Sequence, residues 1–380
     1  MSLEYLLIDI LVSADFYSYL IAMLKNISFI AGDRALEIIR DEGLNPDRVR
    51  VIPGAAGGPK WLVLGGIDRI LFGTIFSERK EPLFLLGSSI GSWRFAAICQ
   101  ADPVKSIDLF EEAYLDQHYS KFPTAEEVSG ASRVILDRYV HDDAVQMILK
   151  HPYLRLNMLA VSSRHIFKAA SRPPLAIGMV LASVCNIISR HMMGLFFSRT
   201  LFYDRREAPP FYDMKGFSLR RVPLDRSNLK PAIMASGSIP MVMDGVSGIP
   251  GAPEGVYRDG GMIDYQLDIP LDPDPDRIVL FPHYSESVIP GWLDKHLPWR
   301  KAKKSNMRNV LIVSPSRHFV DNLPYGKIPD RNDFMKFSGH DAERLTYWKK
   351  SIEAGRHMGE EFYEALLSGK IRTMVKRYQP

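Results

Sequence analysis

The stretch Pro82 to Gln100, PLFLLGSSIGSWRFAAICQ, constrains this chain more than any other. An apolar run of strand character meets Gly87-Ser88-Ser89-Ile90-Gly91, and a helix-like segment follows at once. A strand that turns directly into a helix belongs to α/β architecture, in which alternating elements set a mainly parallel sheet between helices. The pentapeptide is Gly-x-Ser-x-Gly, the pattern of a serine exposed on a sharp strand-to-helix turn. Gly87 and Gly91 leave space where a Cβ would crowd so tight a bend. The helix N-terminus behind the turn carries unpaired N–H groups and the positive end of a dipole, which favour negative charge at or beside the serine oxygen. Ser89 is therefore the candidate nucleophile. An ordinary strand-helix turn carries the same five residues, so the assignment depends on a base and an oxyanion-binding loop elsewhere.

A second turn of this kind comes earlier. Val49 to Ile52 alternates and is β-branched, as a short strand does. It runs into Gly54-Ala55-Ala56-Gly57-Gly58-Pro59-Lys60, after which Trp61 to Phe72 reads as helix. This is neither Gly-x-Gly-x-x-Gly nor a phosphate loop, because Trp61 follows Lys60 where the loop needs Ser or Thr. Without side chains at Gly57 and Gly58, backbone N–H groups are free to turn toward a developing anion, and Ile90 adds a third candidate donor from the serine turn. A tight loop that needs glycine only for its shape reads the same way. A third element, Val256 to Gly261, ends a short strand in Asp259-Gly260-Gly261; alone, this fits a turn aspartate capping the next backbone groups.

These three motifs, in this order, form the signature of the patatin-like phospholipases, and the chain resembles that family from about Val49 to Leu271. The match includes Leu62 to Leu71 and the segment Ala235-Ser236-Gly237-Ser238-Ile239-Pro240 ahead of Asp-Gly-Gly. The resemblance implies a three-layer α/β/α fold with a mainly parallel central sheet. It also implies Ser89 as nucleophile, Asp259 as its only partner in a dyad, and Gly57 and Gly58 in the oxyanion hole. Gly54, Lys60, Gly87, Gly91, Gly260 and Gly261 support the motifs. Family members cleave acyl esters of phospholipids, lysophospholipids or neutral lipids without metal, so no cofactor is expected. The turn here departs from the family's three adjacent glycines and arginine: Lys60 keeps the charge without the bidentate fork, which leaves a non-phospholipid ester open. An aspartate is a weak base in water, so a working site must desolvate it or strengthen its bond to Ser89. Two other readings remain: an α/β-hydrolase with a Ser-Asp-His triad using His283 or His318, and a non-catalytic lipid-binding module on the same scaffold.

The remaining sequence bounds the setting. With 380 residues, 46% of them hydrophobic, the chain suffices for one large α/β unit spanning 1–380, with its core at about 49–320, a helical lead over 1–45 and a helical tail over 335–380. The net charge of +4 calls for no nucleic acid and tolerates anionic lipid surfaces. Cys99 and Cys185 stand in apolar contexts and read as buried thiols, which suits a cytoplasmic setting. Leu6 to Leu24 is apolar, but Asp9 and Asp15 oppose membrane insertion, so a packed or interfacial helix is expected. Helical patterning runs from Val104 to Lys150, and further strands are expected at Tyr153 to Val161, Phe217 to Val222, Arg277 to Phe281 and Asn309 to Val313. Pro174 to Ile188 is too short to cross a bilayer and reads as a buried helix, with a lipid-facing helix as the minority reading. Trp292 to Arg308 mixes aromatics with cations, as a solvated loop or a peripheral membrane contact does. His340 to Leu367 is an amphipathic helix, with Ser338 as cap and Gly369 as stop.

Overall fold

The computed structural model describes residues 24–380. Ten strands, β1 (Ile27–Ala31), β2 (Val49–Gly54), β3 (Leu83–Ser88), β4 (Leu154–Ser163), β5 (Phe197–Asp204), β6 (Leu219–Leu224), β7 (Tyr257–Asp259), β8 (Ile278–Pro282), β9 (Val310–Pro315) and β10 (Lys376–Arg377), make one sheet. Its order is β10-β1-β9-β8-β2-β3-β4-β5-β6, with β7 also paired to β4. The central run β9-β8-β2-β3-β4 is parallel, while β1 and β5 join it antiparallel. Helices flank this sheet, which makes the architecture mixed α/β with a largely parallel centre. Both faces of the central strands are covered, so β2, β3 and β8 are apolar and buried almost throughout.

Several expected elements differ in detail. Of the helical lead over 1–45, Ile27–Ala31 is an edge-ward strand and Asp33–Glu42 a helix; a short, wholly buried apolar run shows no period that separates strand from helix. The helix expected over Leu6 to Leu24 lies outside the described residues, save for Leu24. Strands β1 and β10 carry the sheet beyond the expected core of 49–320 at both ends. The stretch Trp61 to Phe72 is not one helix: a 3-10 turn at Gly58–Val63, an α-helix at Gly65–Ile70 and a π turn at Leu71–Ile75 share it. Strand β5 forms over Phe197–Asp204, where no strand was expected. The helix over 174–188, expected to be buried, runs Arg172–Ile188 and buries only Leu175, Gly178, Ala182 and Asn186. The tail helix, Asp341–Leu367, starts after His340 rather than at a Ser338 cap, and ends before Gly369 at φ +70°. Cys99 is buried, Cys185 half-buried, and both are free.

The tail helix joins the core through glycine. Gly66 faces Gly355 and Gly359, and a Cβ on Gly66 would stand 2.1 Å from the Gly355 carbonyl oxygen. Two helical backbones touch there, which only residues without side chains allow. Beside this contact, Arg94 and Asp68 form an ion pair at 2.8 Å with both side chains buried; burial raises the Asp68 carboxyl to about 6 in spite of Arg94. Gly66→Ala is expected to cost about 1–3 kcal/mol by overpacking, read as a lower urea midpoint with an unchanged m-value.

Candidate active site

The site is assembled at the ends of three strands. Strand β3 pairs with β4 as far as Ser88 opposite Leu159. Strand β5 occupies the other edge of β4, so β7 docks beyond the end of β3, with Asp259 opposite Ala160. Consecutive residues of β4 therefore set Ser88 and Asp259 side by side. The next residue, Ser89, caps the helix Ile90–Ile98 at φ +54° and ψ −126°, a conformation a residue with a Cβ adopts only under constraint. Its hydroxyl donates to Asp259 Oδ2 at 2.6 Å, while Asp259 Oδ1 accepts the Gly261 N–H at 2.7 Å.

The constraint on Ser89 is supplied by Ser236, a residue to which the sequence reading gave no role. The Ser236 hydroxyl accepts the Ser89 N–H at 3.0 Å and donates to the Leu159 carbonyl at 2.6 Å, with Ser92 Oγ a further 2.8 Å partner. The motif glycines permit close approach. A Cβ on Gly91 would lie 2.1 Å from the Gly54 carbonyl oxygen, and one on Gly87 would lie 2.4 Å from the backbone of Ser92. On Gly260 it would meet the Leu159 carbonyl at 2.4 Å, and on Gly261 the Ala56 Cβ at 2.9 Å. So Gly54, Gly87, Gly91, Gly260 and Gly261 let four segments crowd around one serine.

Gly57, Gly58, Ser89, Asp259 and Gly261 line a cavity of about 510 Å³, and Gly58, Ser89 and Ile90 also line an adjoining one of about 810 Å³. Among the described residues, the N–H groups of Gly57 and Gly58 have no hydrogen-bond acceptor. Gly58 has φ +57°, which suits glycine, and the Tyr284 ring packs where a Gly57 side chain would be. Tyr284 Oη donates to the Ala56 carbonyl at 2.5 Å and accepts from Gln266 at 2.9 Å, which holds the glycine turn in place.

Burial dominates the electrostatics. It pushes the Asp259 carboxyl up to about 6, against the Ser89 and Gly261 hydrogen bonds and the more distant Arg331 and Lys295. Three cations line the smaller cavity: Lys60, Lys295 and Arg331. Lys60 Nζ stands 4.8 Å from the Tyr284 ring centroid and Lys295 Nζ 4.2 Å from that of Tyr265. Burial lowers Lys60, and burial together with Arg331 and Lys60 brings Lys295 down to about 7. None of the three has a carboxylate within ion-pair distance among the described residues; the neighbouring Asp330 pairs with Lys327 at 3.2 Å. Lys295 belongs to the Trp292 to Arg308 run and Arg331 to a segment with no motif, and no spacing in the sequence ties either to Ser89. The larger cavity is apolar, with Trp93, Met179, Met243 and Phe334 in its wall.

The histidines stand apart from this pair. His283 is buried with Nδ1 at 2.6 Å from the Ser285 carbonyl, and burial lowers it to about 3. His318 and His340 lie on the surface, and neither lines the two cavities. His296 lines the smaller cavity but makes no hydrogen bond to Ser89 or Asp259. Among the described residues no cluster of three or more His, Cys, Asp or Glu is placed to hold a metal ion.

Comparison with protein-family models and with curated proteins yields no match to this chain.

The raised carboxyl of Asp259 has a stability consequence. Between its unfolded value near 4 and its folded value near 6 the native state holds the proton more tightly, so stability is lost as pH rises through that window. Asp259→Asn removes the buried charge and is expected to stabilise the fold by up to about 3 kcal/mol at pH 8 and by little at pH 4. Urea unfolding of the two proteins at both pH values checks this.

Proposed function

We propose that the protein is a lipid acyl hydrolase of the patatin-like kind, on a three-layer α/β/α fold, cleaving carboxylic esters with Ser89 as nucleophile and Asp259 as base. The observation that carries this reading is the 2.6 Å hydrogen bond from Ser89 Oγ to a buried carboxylate, made by a serine held at φ +54°. A carboxyl raised to about 6 by burial is a better proton acceptor than a solvated aspartate and is still ionised at neutral pH.

In the proposed reaction, Asp259 takes the Ser89 proton as Oγ bonds to the ester carbonyl carbon. The carbonyl oxygen becomes an oxyanion facing the N–H groups of Gly57, Gly58 and Ile90, at the N-terminus of a helix. Collapse breaks the bond to the leaving alcohol, whose oxygen receives the proton from Asp259. Water then attacks the acyl-serine, with Asp259 again accepting a proton, and Ser89 is restored. The apolar 810 Å³ cavity suits an acyl chain. The cavity with Lys60, Lys295 and Arg331 suits a leaving group that bears negative charge, such as a phospholipid or lysophospholipid head group.

Ser89→Ala is expected to abolish both hydrolysis of a short p-nitrophenyl ester and labelling by a fluorophosphonate, whereas Ser88→Ala, whose hydroxyl is buried beneath the turn, retains labelling. Parent protein that labels nowhere would remove the hydrolase reading and leave a lipid-binding module. Replacing His283 or His296 in turn is expected to retain labelling; loss at either in a folded protein would replace the dyad with a triad.

The pH profile gives a second check. For a neutral ester, kcat/KM is expected to rise with a midpoint near 6, as Asp259 loses its proton. For an ester with an anionic leaving group it is expected to fall again above about 7, where Lys295 loses its charge.

A further inference from the structure

The helix Arg172–Ile188 presents an aliphatic face to solvent beside the Ser89 cavities. Ile177, Val180, Leu181, Val184, Ile187 and Ile188 are each 49–70% exposed. Along about 17 Å of helix, this is more contiguous apolar surface than isolated exposed residues present. Each end of the face is tied to an exposed aromatic. At the N-terminal end, Arg172 donates to the Pro123 carbonyl at 2.7 Å, bringing up Phe122, which is 81% exposed. At the other end, Arg300 donates to the Asn186 carbonyl at 2.8 Å, and the adjoining Trp299 is 63% exposed.

The charge carried by the helix's own segment and by the Trp299 segment is of one sign. Between Asp143 and Asp204 the sequence holds no acidic residue, and none lies between Asp294 and Asp321. Lys168 and Arg172 stand exposed at one end, and Lys301, Lys303 and Lys304 near the other. None of these cations pairs with a carboxylate among the described residues. The face also borders the cavity mouths. Ser183 and Ile187 line the smaller Ser89 cavity together with Leu297, while Phe122, Arg172 and Met179 line the larger.

We propose that this face, the outer stripe of the helix Arg172–Ile188 with Phe122 and Trp299 at its ends, seats the protein on an anionic lipid surface with the Ser89 cavities opening toward it. The apolar stripe enters the acyl boundary, the aromatics lie at head-group level and the cations meet anionic head groups. A second copy of the chain fits this face poorly. A twofold contact would set the unpaired cations of the helix and Trp299 segments against one another, and neither of those two segments holds an acidic residue to offset them. The choice of a lipid surface rests in part on the acyl-hydrolase reading, because it gives the cavity mouths a source of substrate; the binding itself needs no catalysis.

The test is sedimentation of the full chain with vesicles of phosphatidylcholine, and with vesicles of phosphatidylcholine and phosphatidylserine in equal parts. The parent is expected to sediment with the mixed vesicles, less so as salt is added. Val180→Glu with Val184→Glu is expected to weaken partitioning by on the order of tenfold or more. These two side chains line neither cavity, so thermal unfolding and hydrolysis of a soluble short-chain ester serve as controls for folding. Trp299 fluorescence is expected to shift to the blue on binding, and Trp299→Phe to remove that shift. Equal sedimentation of parent and double variant overturns the proposal. So does a concentration-dependent dimer that the double variant abolishes, or a large loss of thermal stability in that variant, which would mean that the face is covered within the molecule. Vesicle binding without fluorophosphonate labelling at Ser89 would sink the hydrolase reading and leave this one standing; labelling without binding would do the reverse.

Discussion

The register of β4 is the constraint on which the site depends. Its residues Leu159 and Ala160 mark the point where one neighbour, β3, ends and another, β7, begins on the same edge. Because that change of partner occurs between adjacent residues, the serine leaving β3 and the aspartate ending β7 meet within hydrogen-bond distance although 170 positions separate them. The Leu159 carbonyl also receives the Ser236 hydroxyl and lies where a Gly260 side chain would have to go. A slip of one residue along β4 would turn every side chain of β7 to the other face and take Asp259 away from Ser89. The long pairing of β4 with β3 and β5 makes such a slip costly.

Around this point the chain accepts local costs. Ser89 sits at positive φ, Asp259 is buried as a carboxylate, and two lysines lie partly desolvated without carboxylate partners. Each costs of order 1–3 kcal/mol in isolation. They are held by rigid surroundings: a parallel sheet buried on both faces, the Gly54 to Gly91 contact and the Ser236 hydroxyl. Concentration of such costs in one cavity is the pattern expected of a site that does chemistry.

The outer helix is positioned by a buried ionic cluster. Asp264 accepts from Nε and Nη2 of Arg199 at 2.7 and 2.6 Å, and Arg190 reaches toward Asp264 and Asp294. Asp294 in turn accepts from Asn186 of the helix at 2.7 Å and draws in Arg300 at 3.4 Å. Linked in this way, the cluster ties the sheet, the helix Arg172–Ile188 and the Trp292 to Lys304 segment together. The apolar face is thereby displayed in a set orientation to the cavities.

The sequence by itself determined what is local. Gly-x-Ser-x-Gly after an apolar run demanded a strand, a sharp turn and a helix, because only that path places a small residue where backbone meets backbone. The glycine turn after β2 and the Asp-Gly-Gly after β7 were legible for the same reason, and so was each central strand, whose short apolar run is bounded by turn residues. Strands β1 and β5 were not, since a fully buried segment of five to eight residues shows no alternation. Nor was the exposure of the helix Arg172–Ile188: an apolar stretch is apolar on every face, and only its neighbours decide which face they cover. Ser236, Lys295 and Arg331 belong to the same class. No spacing in the chain ties any of them to Ser89, and it is the tertiary structure that carries them there. Spacing along a chain records which residues share an element; which elements share a cavity depends on strand register and helix packing, which only the tertiary structure decides.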